Sequence, residues 1–197
     1  FTFRISKDLC RNGYCGFGIE WSHSEDQRKS DKIRSKSTQL CIMGVNANFN
    51  MKAIDQYLAQ KAKLFEDLTL RNLNYLGMEC MRVAKELDTY VDRTANLRNS
   101  IGYVIVKNGR VKYQNFNADK SGSETSNESG EQIGSAFAND LAKTFTEGFT
   151  LIVVAGMKYA SYVEDVHHLD VLKPAENHAE SIIPSIAKSI VKKIKKI

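Results

Sequence analysis

With 197 residues, 42% of them apolar, the chain can build one core of moderate size, with or without an appendage. No run approaches the roughly 18–20 consecutive apolar residues that cross a bilayer, and the N-terminus lacks the basic patch and apolar run of a secretory signal. A soluble protein with no membrane partner is expected. The net charge of +5 is unevenly placed: Lys188, Lys192, Lys193, Lys195 and Lys196 crowd the last ten residues with no acid among them. Such a cluster reads as a solvated helix face or as a contact for phosphates and anionic headgroups. The cysteines Cys10, Cys15, Cys41 and Cys80 lack zinc-site spacing, so free thiols in a reducing compartment are expected and no metal.

Residues 1–42 differ from the rest of the chain. Gly13, Gly16 and Gly18 are interspersed there, and the stretch from Ser22 to Gln39 is nearly devoid of apolar residues. Neither helical nor strand periodicity holds for long. The chain opens on Phe1, and its first methionine is Met43. Two readings fit: an upstream, non-native extension with translation starting at Met43 or Met51, or a flexible arm. The first is preferred, because no core face is evident, and residues 43–197 are then the single domain.

From Met51 to about Leu87 the pattern turns helical. Ile54, Leu58, Ala62, Phe65 and Leu68 recur at spacings of three and four, and after a slip Leu73, Leu76, Cys80, Val83 or Ala84, and Leu87 continue the rhythm. Asn50 or Asn48 caps the start. A helix of this length spans about 50 Å, so it either breaks near Asn72 or Gly77 or projects onto something else. Thr94 can cap a short turn carrying Asn96, Leu97 and Arg98. Next, Tyr103–Lys107 and Arg110–Tyr113 flank Asn108-Gly109, the signature of a type I′ hairpin. Residues 117–130, polar and small, predict a flexible loop. Ile133, Phe137, Leu141 and Phe145 mark an amphipathic helix stopped by Gly148, and an apolar strand comes next at 149–155. A short apolar strand is expected at Leu169–Leu172. A final amphipathic helix opens at Pro174 and is kinked or restarted at Pro184. The fold class is α+β: a long N-terminal helix and a small antiparallel sheet with the Asn-Gly hairpin, covered by helices including the C-terminal one.

Catalysis is not expected. His167 and His168 beside Glu164 and Asp165 form the only cluster worth testing for it, and adjacent histidines in extended chain point to opposite faces. No metalloprotease pattern, glycine-rich phosphate loop or nucleophile elbow occurs, so neither catalytic residue nor cofactor is assigned.

Two segments carry a resemblance. Asp92-Arg-Thr-Ala-Asn-Leu-Arg-Asn-Ser-Ile101, and later Val153-Val-Ala-Gly-Met-Lys-Tyr-Ala-Ser-Tyr-Val-Glu164, resemble the paired signatures of the tail-component family of long-tailed bacteriophages, the tail-completion or head–tail joining proteins. The usual pattern reads Arg-Thr-Gly-Asn-Leu-Arg-x-Ser-Ile, a strand pair, then Tyr-Ala-x-Tyr-Val-Glu, after a long helix. Here Ala95 replaces glycine and His167-His168 replaces Gly-Thr. The resemblance covers residues 51–196. It implies a structural virion protein of the tail or neck, assembled in the bacterial host cytoplasm as a ring homo-oligomer, a hexamer or dodecamer. Its implied partners are itself, neck and tail-tube proteins, and DNA passing through the lumen. Candidate interface residues are Arg93, Asn96, Leu97, Arg98, Tyr159, Tyr162 and Glu164. Arg93 and Arg98 suit carboxylates at subunit contacts or in intrachain pairs, and Tyr159 and Tyr162 suit a core edge or an interface. The alternative is a nucleic-acid- or anionic-surface-binding protein acting through the lysine-rich C-terminal helix.

Overall fold

The computed structural model describes residues 2–6, 14–22, 50–87, 90–91, 93–118, 122, 124, 128–166 and 169–195. Strands β1 (Thr2–Ser6), β2 (Cys15–Ser22), β3 (Ile101–Lys107), β4 (Arg110–Asn115) and β5 (Phe149–Ala155) form one antiparallel sheet in the order β1-β2-β5-β3-β4. The helices are α1 (Met51–Glu86), the single turn α2 (Asn96–Asn99), α3 (Gly130–Ala142) and α4 (Lys173–Lys195). Helices α1 and α4 pack on one face of the sheet and α3 on the other. The alternation of β3 and β5 fixes this: Ile101, Tyr103, Ile105, Leu151 and Val153 join the α1/α4 core, whereas Val104, Val106, Ile152 and Val154 join Ala138 and Leu141 of α3. Both strands are buried on both faces, which is why they read as continuous apolar runs. The α+β class and the covered antiparallel sheet stand as expected.

The hairpin is also as expected, with Asn108 at φ 49° and Gly109 at φ 75°, the pair of positive values that a type I′ turn requires. Between Ile105 and Val106 the register shifts, a bulge that twists the edge strand β4.

Residues 1–42 require a correction. Strand β2 lies between β1 and β5, and Cys15, Phe17, Ile19 and Trp21 are buried in the main core. The described part of this segment therefore supplies a core face and the sheet's second strand. The alternation is regular, but Gly16 and Gly18 occupy the other face. A Cβ on Gly16 would sit 3.2 Å from both the Val153 carbonyl oxygen and Val154 Cγ1. Glycine here permits close packing and does not signal a turn.

Helix α1 is continuous. Asn50 caps it, Oδ1 accepting from the Ala53 N–H at 3.3 Å, and 36 residues make it about 54 Å long. Neither expected break occurs. Asn72 donates from Nδ2 to the Leu68 carbonyl at 2.6 Å, and Gly77 is the seat of the Tyr103 ring. A Cβ on Gly77 would lie 2.5 Å from Tyr103 Cδ2, and the Tyr103 hydroxyl donates to Asn74 Oδ1 at 2.8 Å. The slip in the apolar rhythm thus lets one aromatic ring lie against helix backbone. Cys80, on the same face, is fully buried, and desolvation pushes its thiol pKa up to about 12.

The expected strand at Leu169–Leu172 is absent. Val171 and Leu172 are buried as anchors of an irregular segment that leads into α4. Helix α4 runs through Pro184 without restarting. Pro184 is exposed, so the interruption in the backbone ladder falls on the solvent side. His178 Nε2, near the start of α4, lies 3.8 Å from Glu79 Oε2, near the end of α1. Leu169, just before α4, likewise shares a groove with Tyr90, just past α1. Helix α4 therefore runs antiparallel to α1, with its lysine-bearing last turns toward the N-terminal half of α1. Of the loop at 117–130, residues 119–121, 123 and 125–127 lie outside the described residues, as do His167, His168, Cys10, Cys41 and Lys196.

Candidate functional site

Helix α1 ends at Glu86, and its last carbonyls need donors. Arg98, in the single turn α2, supplies them: Nη1 donates to the Lys85 carbonyl at 2.8 Å and Nη2 to the Leu87 carbonyl at 3.0 Å. Its guanidinium carbon is 5.8 Å from the centre of the Tyr90 ring. The planar fork of arginine holds two carbonyls from two separate nitrogens in fixed geometry, whereas a lysine would have to reach both from one ammonium.

The turn that carries Arg98 is itself locked from below. The Gly156 N–H is shared between Ser100 Oγ at 3.0 Å and the Ser100 carbonyl at 3.3 Å, and Ser100 Oγ donates to the Leu97 carbonyl at 2.7 Å. A Cβ on Gly156 would meet Gly134 Cα at 2.2 Å, so here the chain after β5 touches α3 backbone to backbone. Beyond Gly156 the chain forms a π-helical turn, Tyr162–Val166. Glu164 Oε1 accepts from the Leu172 N–H at 3.1 Å and the Lys173 N–H at 2.6 Å, capping α4.

These contacts bring the two sequence segments together. Tyr90, Val91, Leu97, Tyr159, Val163 and Leu169 line an open groove of about 580 Å³, with Arg93 and Thr94 at its side. Leu97 is buried at the floor, whereas Val91 is 88% exposed and Tyr159 42%. The groove joins the end of α1, the α2 turn and the entry to α4.

The expected interface residues divide accordingly. Arg93, Tyr159 and Tyr162 are exposed. Asn96, Leu97 and Arg98 are buried, and for these the structure corrects the expectation of a surface available to a neighbour. They build the turn and do not display themselves. The physical reason is the helix end beside them, whose open carbonyls draw the guanidinium inward. Glu164 is likewise committed to capping α4. Sequence reasoning missed Val91, Val163 and Leu169, whose apolar character in a polar stretch was the available signal.

Ala95 has φ 58° and is only 2% exposed. A left-handed conformation costs a residue with a Cβ roughly 1–2 kcal/mol, and glycine forgoes that cost while adding some unfolded-state entropy. Ala95→Gly is expected to stabilise the fold by about 0.5–1 kcal/mol, seen as a rise of a few degrees in the melting temperature. Ala95→Val should lower it.

Among the described residues no group of three or more His, Cys, Asp or Glu side chains is placed to hold a metal ion, and no helix is long and apolar enough to cross a membrane. Comparisons with protein-family models, curated proteins and solved structures find no match to this chain.

Proposed function

We propose that this chain is a non-enzymatic structural protein of a tailed-phage virion, joining head or neck to tail as an oligomeric ring. The observation that carries this reading is the meeting of its two signature segments. Residues 93–101 and 153–164 lie far apart in sequence, yet both line one groove and share the Gly156–Ser100 hydrogen bonds. Segments that pair in space in this way behave as one structural unit, as the resemblance to tail-completion proteins implies. The lock consists of buried packing and backbone hydrogen bonds, which suits a joint that must transmit force. A phage lysate lacking this protein should contain filled heads and finished tails that remain separate, and purified protein should join them. Joined particles in the deficient lysate would overturn the assignment.

A second reading is favoured by one feature. Lys188, Lys192 and Lys193 are all exposed in the last three turns of α4, a basic surface that suits phosphate. DNA binding that weakens steeply with salt would support it, and it is compatible with a lumen that passes DNA.

A further inference from the structure

Toward the end of α1 the cations are engaged. Arg82 bridges Glu79 and Glu86 at 3.0 Å and 2.7 Å, and Lys85 Nζ donates to the Asn117 carbonyl at 2.6 Å. Another group is not engaged. Lys63 and Arg71 of α1, Arg110 and Lys112 of β4, and Lys188, Lys192 and Lys193 of α4 are all exposed, and none forms an ion pair or hydrogen bond with a described residue.

The fold gathers these free cations at one level. Helix α1 lies along β3, because Gly77 seats the Tyr103 ring and Glu66 pairs with Lys107. The edge strand β4 is therefore on one flank of α1, with Tyr113 paired to the inward-facing Ile105. Strand β4 is exposed nearly throughout, so α4 does not cover it. Helix α4 lies on the other flank, where Phe65 turns toward Trp21 and Phe149. The two helices are antiparallel with His178 opposite Glu79. Equal rise then sets Lys188 level with Thr69, and Lys192 and Lys193 level with Phe65 and Leu64. The Lys107–Glu66 pair holds the hairpin at that level too. A basic band thus crosses α1 from β4 to α4.

The positive charge of this band is not neutralised locally. The Lys107 hydrogen bond, with the charges of Lys107 and Lys112, holds the Glu66 carboxyl below the usual carboxylate range despite some desolvation. Two ammonium groups act there on one carboxylate. On this side of the sheet the other exposed acids at the same level, among the described residues, are Asp67 and Glu147. The free cations outnumber them, and a surplus of this kind attracts a polyanion.

The form of the band selects among polyanions. Helix α4 contains no Phe, Tyr or Trp and, among the described residues, exposes no large apolar side chain. A bilayer contact needs apolar anchors beside the cations, and a single strand is tracked by successive aromatic platforms. Helix α4 offers neither. A duplex backbone needs only cations spread over rigid elements, since it presents one charge per about 1.7 Å of its axis.

We infer that the band formed by Lys63, Arg71, Arg110, Lys112 and the three α4 lysines contacts the sugar–phosphate backbone of duplex DNA, whatever its sequence. This rests on the reading of the exposed α4 lysines as a phosphate contact, and it extends that contact across α1 to the hairpin.

The test uses the full chain, short duplexes of unrelated sequence and fluorescence anisotropy over a series of salt concentrations. Two double variants remove charge from the two flanks: Arg110→Gln with Lys112→Gln, and Lys188→Gln with Lys192→Gln. A third, Arg82→Gln with Lys158→Gln, removes the same charge outside the band. All six positions are exposed, so circular dichroism and melting should match the parent. The parent should bind the different duplexes alike. Each flank variant should bind roughly tenfold more weakly or worse at low salt, and its slope of log K against log salt should fall by about two. The third variant should bind like the parent. A parent that does not bind duplex DNA, or a third variant as weak as the other two, would overturn both the band and the reading beneath it. Loss confined to the α4 pair would overturn the band and leave the α4 contact standing. Loss confined to the hairpin pair would remove α4 from the contact and overturn both. Tighter binding to single strands, or capture by phosphatidylserine vesicles in place of DNA, would overturn duplex DNA as the partner.

Discussion

A chain beginning at Met43 is expected to lose cooperative unfolding altogether. It lacks β2, and with it Phe17, Ile19 and Trp21, which are 3%, 1% and 5% exposed in the intact protein. Full burial of each such side chain contributes about 1.5–3 kcal/mol, so the three together contribute roughly 5–9 kcal/mol. That is comparable to the whole stability of an ordinary domain, about 5–15 kcal/mol. The truncation also strips β5 of its partner along Trp21↔Phe149 to Cys15↔Ala155, leaving an apolar strand edge exposed to aggregation. Thermal melting followed by circular dichroism checks this. In the full chain the single tryptophan, buried as Trp21, should emit at short wavelength until the same transition. A truncated chain with a parental melting curve would show that β2 adds nothing to the fold.

Arg98→Ala is expected to destabilise the protein by about 3 kcal/mol, because two part-buried carbonyls at the end of α1 lose charged donors and the buried guanidinium leaves a cavity. At this chain length that lowers the melting temperature by roughly 6–12 °C. Arg98→Lys should recover only part of the loss, since one ammonium replaces a two-pronged fork. Variants that remain folded should assemble like the parent, because the guanidinium acts inside its own protomer. A parental melt for Arg98→Ala would remove the clamp. Weakened assembly at unchanged stability would return Arg98 to the interface.

The helices were legible because their cores follow a simple rule. Ile183, Ile186 and Ile190 on α4 recur at helical spacing and are all buried in the main core, whereas on α3 only Leu141 of the Ile133, Phe137 and Leu141 stripe is fully buried, beside Gly134 and Ala138. The Asn108-Gly109 turn was legible because few residue pairs accept two positive φ values. Strand β2 obeys an equally simple rule, since Cys15, Phe17, Ile19 and Trp21 alternate without a gap. It was obscured by Gly16 and Gly18 on two of the intervening positions, and at Gly16 the sheet's second face allows close approach in place of a side chain. Gly77 misled in the same way, as a notch for Tyr103 that resembles a helix break.

The site was legible only as a place. The motif segments marked the α2 turn and the stretch to Glu164, and the structure does bring them together. The roles of Arg98 and Glu164 were hidden because their partners are backbone atoms. The Lys85 and Leu87 carbonyls, and the Leu172 and Lys173 amides, leave no trace in side-chain identity. A charged residue beside a helix end is therefore ambiguous in sequence between capping that end and meeting a neighbour. Burial decides between the two: Arg98 is 5% exposed, whereas Arg93 stays at the surface.

Electron microscopy of the purified full-length protein, alone and mixed with tail tubes, bears most directly on the proposed role. Discrete closed rings, free in solution or seated at one end of the tubes, are the expected result. Monomers in both samples, with bare tube ends, would contradict it.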